Sequence, residues 1–297
     1  EIGACDWSSD VCSSDLACGG VAVVRYEAGI RDVDAQRVGG GRGFLRPGGD
    51  VRGMDLADAT WTDVRDADPE VGVVPVGSTE QHGPHAPLGT DSIAAAAVAA
   101  AGVEAYEREH DDAVVALAPT IPVGIAEEHR AFAGTLWVSP DTFRAYVRET
   151  AASLASHGVD AVVFVNGHGG NVDALREVTA RLSRDGTAAA AAFTWFDVVD
   201  ADVPMGHGGG RETALLRHVA PHLVREDRVE QAAEGASDRW GDWVAGVNVA
   251  HDTDAFSANG VVGDPREGDA ATGEAMLDDA ADALARVLEA LVDRTSE

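Results

Sequence analysis

VGVVPVGSTEQHGPHAPLGTDS, residues 71–92, begins as an apolar run and ends among four side chains able to ligate a metal: Glu80, His82, His85 and Asp91. The run Val71–Val76 has the length and β-branched character of a buried strand, and Gly77 punctuates its end. A second such run, Ala161–Val165 (AVVFV), leads through a glycine-rich turn into the helix-like stretch Val172–Arg184. Apolar strands that alternate with helices argue for an α/β chain whose largely parallel sheet is covered by helices on both faces.

Ala113–Ala118 and Thr187–Phe196 read as further strands. Ile93–Arg108, Asp141–His157, Glu212–Val219 and Glu274–Val292 read as helices, the second of them announced by Ser139-Pro140-Asp141. Near Met54 the stretch MDLADATWTDV predicts a short helix capped by Asp58 or Thr60. In open parallel sheets ligands sit at the carboxyl ends of the strands, so the residues just after each strand are the candidates for chemistry.

The chain ahead of Met54 reads differently. Asp6–Leu16 (DWSSDVCSSDL) resembles a translated sequencing adapter, and Ala17–Gly53 keeps neither a helical nor a strand period. The expectation is that residues 1–53 are non-native and disordered and that residues 54–297 form one domain beginning at Met54. Cys5, Cys12 and Cys18 all fall in this leading stretch, so no disulfide framework follows.

Composition narrows the partners. Fifty-one Asp and Glu face 22 basic residues, all arginine, for a formal charge of −29. Such a surface repels nucleic acid and anionic lipid, and it suits a salt-rich, halophilic cytoplasm where screening makes self-repulsion tolerable. No apolar run is long enough to span a bilayer, so a cytoplasmic location is expected.

Three His/carboxylate clusters follow strand-like runs. In the first, an extended Ser78–His82 would put Glu80 and His82 on one side and turn Gln81 away. Glu and His form a borderline ligand set suited to Zn, Mn or Fe rather than Ca, and Asp91 has two oxygens with which to bridge a pair of ions. The second is NGHGGN, Asn166–Asn171, with His168 at a strand end; a glycine-rich turn of this kind could also cradle phosphate, as in a nucleotide-binding module with a structural metal. The third is His207-Gly-Gly-Gly-Arg-Glu212-Thr. Glu128 and His129 follow another strand end and either line a pocket or form a solvated pair. Trp240 and Trp243 either cover the site or pack in the core.

STEQHGPHAPLGTD, NGHGGN and HGGGRET resemble the signature segments of the creatininase family, as do Gly124–Phe143 and Gly260–Glu274. That family also includes formamide hydrolases and a peptide-processing enzyme of redox-cofactor maturation. The resemblance implies a three-layer αβα sandwich, a homo-oligomer, commonly a hexamer, and a metal-dependent hydrolase that cleaves a C–N bond of a small amide, cyclic amide or formamide through a water activated by two divalent ions. It matches Glu80, His82, Asp91 and His168 to metal ligands, Glu212 to a late glutamate, and His207 to a histidine near the substrate. His207 and Glu212 are thus the expected catalytic residues, with Glu212 also a metal ligand. One position departs: creatinine-hydrolysing members resemble NGHYEN, and here Gly170 stands where they carry the glutamate. That disfavours creatinine itself and makes Glu212 the supplementary carboxylate.

Overall fold

The computed structural model describes residues 53–296. Its centre is β2 (Val71–Val76), buried at every position because strands flank it on both edges and helices cover both its faces. The five-stranded sheet has the order β1-β3-β2-β4-β5, where β1 is Met54–Asp55, β3 Val115–Leu117, β4 Ala161–Asn166 and β5 Ala189–Thr194. Every pairing is parallel, and β2 and β4 run in register from Val71↔Ala161 to Val76↔Asn166.

Alternation within the strands builds two cores. Val71, Val73, Val163, Val165 and Phe193 face α2 (Thr90–Glu109), α6 (Gly210–Val219) and α8 (Ala270–Ser296). Val74, Val76, Val162 and Phe164 face α3 (Pro140–Ala155) and α4 (Val172–Arg184). The result is the expected three-layer αβα arrangement. Phe164 is fully buried, so truncating it to alanine is expected to cost about 3–5 kcal/mol.

Pro75 lies inside a central strand, where a missing N–H normally disrupts the ladder. It is tolerated because its backbone turns toward β3 at a level where β3 has already ended; there the Pro75 carbonyl accepts from Ile121 N–H at 2.9 Å.

Several boundaries differ from the sequence reading. Helix α2 begins at Thr90, so Asp91 sits in its first turn rather than ahead of it. Strand β5 stops at Thr194, and Trp195 and Phe196 belong to the short helix α5 (Trp195–Val198). Thr60, not Asp58, caps α1 (Trp61–Ala67), through a reciprocal capping box with Asp63. The short helix α7 (Val229–Glu234) and the hairpin β6 (Trp243–Val244) with β7 (Val247–Asn248) were not anticipated. The adapter-like stretch 6–16 and the three cysteines lie outside the described residues. Among the described residues no helix is long and apolar enough to cross a membrane.

Candidate metal centre

The strand order reverses at β2 and β4: the chain leaves β2 into α2 on one face and leaves β4 into α4 on the other. The two strand ends open a crevice at this switch point. From β2 the loop 77–89 carries Glu80, His82 and His85, closes with Glu80 N–H donating to Leu88 C=O at 2.9 Å, and runs into α2 with Asp91. From β4 comes His168, held by Asn166, whose side chain accepts from His168 N–H at 3.1 Å and donates to its carbonyl at 2.8 Å. Only glycine fits where the β4 loop meets the start of α2 and where the β2 loop folds back on it. A Cβ on Gly167 would lie 2.2 Å from the Asp91 carbonyl, and one on Gly77 would lie 2.4 Å from Ser92 N.

Glu80, His82, Asp91, His168, His207 and Glu212 converge, all buried. His82 Nε2 lies 2.9 Å from Asp91 Oδ1 and 3.8 Å from Glu212 Oε2. His168 Nδ1 lies 3.0 Å from Glu80 Oε1 and 3.4 Å from Asp91 Oδ2. Asp91 therefore stands between the two imidazoles, one oxygen toward each. Glu212 opens α6, where its Oε2 accepts from Gly208 N–H at 2.6 Å.

Backbone carbonyls orient both rings. His168 Nε2 donates to Ile125 C=O at 2.7 Å, and His82 Nδ1 lies 3.2 Å from Glu80 C=O. Each ring thereby turns its other nitrogen to the carboxylates, the outer-shell arrangement typical of metal-binding histidines. A lone pair facing a carboxylate is repulsive unless a proton or a cation lies between them. The carboxylates accordingly favour a positive charge at this point. Burial opposes the charge on His82, but Asp91, Glu212 and Glu80 outweigh it and raise its pKa to about 10. His168 is likewise raised, by Glu80 and Asp91 against burial. Burial raises Glu212 to about 7, against the pull of His82.

These residues fit divalent ions. Both oxygens of Glu80 and Oδ2 of Asp91 are buried without a hydrogen-bond partner, a costly state that a bound cation relieves. Three sets of donor atoms come close enough to share an ion: Glu80, His82 and Asp91; His82, His207 and Glu212; Glu80, His129 and His207. Oxygen with imidazole nitrogen suits Zn, Mn or Fe.

His129 and His207 complete the wall. Their rings stack at 4.3 Å between centroids, and His207 lies equally close to His82. Burial and the neighbouring imidazoles hold both well below the usual histidine range, His129 at about 3. Of the pair left open by the sequence, His129 is fully buried 3.4 Å from Glu80, whereas Glu128 lies half-buried, 4.0 Å from His168 Nε2, on the side away from Glu80 and Asp91. Trp240 packs edge-on against His129 and His207, and Trp243 is exposed beyond it. His85 points elsewhere, its Nε2 on Thr213 Oγ1 at 2.9 Å. The sequence reading missed Gln81 and Thr253. Gln81, expected merely to turn away, bonds to the loops and imidazoles of the opposite wall, and Thr253 lies 3.0 Å from His129 Nδ1.

The family described as Creatininase: Creatinine amidohydrolase matches residues 57–288. The mycofactocin precursor peptide peptidase of Mycolicibacterium smegmatis is 40% identical over 203 residues, 68% of this chain and 77% of that protein. The creatinine amidohydrolase of Pseudomonas putida is 29% identical over 182 residues, 53% of this chain and 67% of that protein. A solved structure named Creatininase Mn shares the fold with a TM-score of 0.66 at 21% identity, covering 81% of this chain and 99% of that one. With the family matched over most of its length and the same fold around the crevice, the chain belongs to the creatininase family of hydrolases.

Proposed function

We propose that this protein is a metal-dependent peptidase that hydrolyses a C–N bond in a short peptide, with ions held by Glu80, His82, Asp91, His168 and Glu212. One observation carries the choice of a peptide. From His129 and His207 the wall continues through Trp240, whose carbonyl accepts from the indole N–H of the exposed Trp243 at 2.7 Å, into the foot of the β6–β7 hairpin. Exposed apolar surface beside a polar site marks a binding surface, and two successive exposed indoles suit apolar side chains of a peptide. The 40% identity to a protein named a precursor peptide peptidase supports the same reading.

Bound ions supply Lewis acidity and a water of lowered pKa. The chain's own residues orient the reaction. His207 donates Nε2–H to the Gln81 carbonyl at 2.6 Å and so keeps a lone pair at Nδ1, where it can accept a proton. Glu212 supplies the carboxylate that position 170 lacks.

A small amide or formamide is the second reading, favoured by the likeness to a creatinine amidohydrolase. Metal analysis, followed by mass spectrometry after incubation with short apolar peptides, formamides and creatinine, separates the two. The expected result is chelator-sensitive peptide cleavage, abolished by Asp91→Ala. Consumption of formamide or creatinine alone would sink the peptide reading.

A further inference from the structure

Two backbone groups fix the Gln81 carboxamide. Oε1 accepts from Gly83 N–H at 2.9 Å, and Nε2 donates to Gly260 C=O at 3.0 Å, so its oxygen and nitrogen cannot be exchanged. One amide hydrogen remains, and two imidazole nitrogens lie near it. His207 Nε2, at 2.8 Å, also sits 2.6 Å from the Gln81 carbonyl and needs its own hydrogen for that contact. The remaining hydrogen therefore goes to His129 Nδ1 at 2.9 Å, which must present a lone pair. The Thr253 hydroxyl, 3.0 Å from the same nitrogen, can donate to it as well. A neutral imidazole that accepts at Nδ1 carries its hydrogen at Nε2. That Nε2 is buried and has no hydrogen-bond partner, with Glu80 Oε1 3.4 Å away.

His82 and His168 thus turn lone pairs into the site, while His129 turns in an N–H. A buried donor without an acceptor is costly, and it persists where an arriving group completes it. We propose that His129 is a catalytic residue whose Nε2–H donates to the carbonyl oxygen of the scissile amide as negative charge gathers there, and that Gln81 is the positioning residue that locks its tautomer. The proton stays on His129 throughout, so the role is electrostatic. The inference rests on the amide-hydrolase reading above.

The test is Gln81→Glu, which keeps the shape but replaces the donor with an acceptor and so calls the hydrogen to His129 Nδ1. Long-range 15N–1H NMR of the metal-loaded, histidine-labelled protein should show Nε2–H on His129 in the wild type and a proton on Nδ1 in the variant. His129→Phe should lower kcat on the order of a hundredfold while KM and metal stoichiometry hold. His129→Gln, which can offer an N–H near the same place, should recover part of the loss and guards against a folding artefact. An Nδ1–H tautomer in the wild type, an unchanged kcat in His129→Phe, or the loss of one metal equivalent in that variant would overturn the inference while leaving the hydrolase reading intact. A wild type that turns over no amide at all removes both.

Discussion

Gly170 lies against a ligand of the candidate site, and His85 is buried just outside it. A Cβ on Gly170 would lie 2.3 Å from the Ile125 carbonyl and 2.5 Å from His168 Nε2, two atoms already hydrogen-bonded to each other. The glutamate of the creatinine-hydrolysing motif cannot be grafted here without breaking the contact that aims His168. Gly170→Ala is therefore expected to weaken metal affinity about 10–100-fold, read by competition with a chromophoric chelator; unchanged affinity would show that the Ile125 contact does not orient the ring. His85 makes a different kind of prediction. Buried beside His82 and Arg217, its pKa falls to about 4, so between the ordinary histidine range and that value the unfolded chain binds a proton that the native state refuses. Stability is unaffected above about pH 6.5 and is lost as the pH falls through the window between that value and 4, by about 3 kcal/mol in all. His85→Gln should remove that slope. Urea midpoints for wild type and variant at neutral and acid pH should converge or cross on acidification, and parallel curves would contradict it.

Among the elements, the β6–β7 hairpin carries a strained turn beside the candidate site. Its two-residue strands join through Ala245 and Gly246, both with positive φ, at 52° and 82°. That is the backbone of a type I′ turn, where Asn-Gly is preferred and alanine is strained. Ala245→Asn should tighten the hairpin by about 0.5–1 kcal/mol, seen as slower amide exchange at Val244, and by stiffening the apolar rim it should lower KM for an apolar peptide more than it changes kcat. Faster exchange would show that the turn is not the weak point. This hairpin also marks where local pattern stops being informative. Val71–Val76 and Ala161–Val165 were legible because strands buried on both faces must be apolar throughout, and Val172–Arg184, read as the helix that follows the second of them, matches α4 to the residue. Strands of two residues are too short to carry a period, and Trp243 and Val244 look like any apolar pair. The same holds within the site. Glu80, His82, Asp91 and His168 stood out because they cluster with glycines after the ends of β2 and β4; Glu212 stood out in the same way, but its cluster does not follow a strand end, because α5 intervenes after β5 and Glu212 sits in the first turn of α6. Gln81 and Thr253 act through His129, from 48 and 124 residues away, and their value exists only once the loops have packed.

For the whole molecule the dominant fact is charge. Even if each of the 22 arginines were matched to a carboxylate, 29 acidic groups would remain unpaired. The pairs that do form, such as Arg144–Glu177 at 2.8 Å and Arg130–Asp252 at 2.7 Å, lie on the surface, where each contributes about 1 kcal/mol or less. They cannot offset repulsion summed over the whole surface, which destabilises the compact state more than the expanded one. Screening removes that penalty. Between about 0.1 M and about 1 M salt the Debye length shrinks from about 10 Å to about 3 Å, which screens exposed charges that lie further apart than that. The melting temperature is therefore expected to climb steadily with KCl over this range at neutral pH, and to climb less near pH 5, where carboxylates begin to take up protons. The paired pH measurement separates screening from a general salting-out effect, which would act equally at both. A melting temperature that is flat in KCl, or a salt response indifferent to pH, would mean that the acidic surface serves something other than life in concentrated salt.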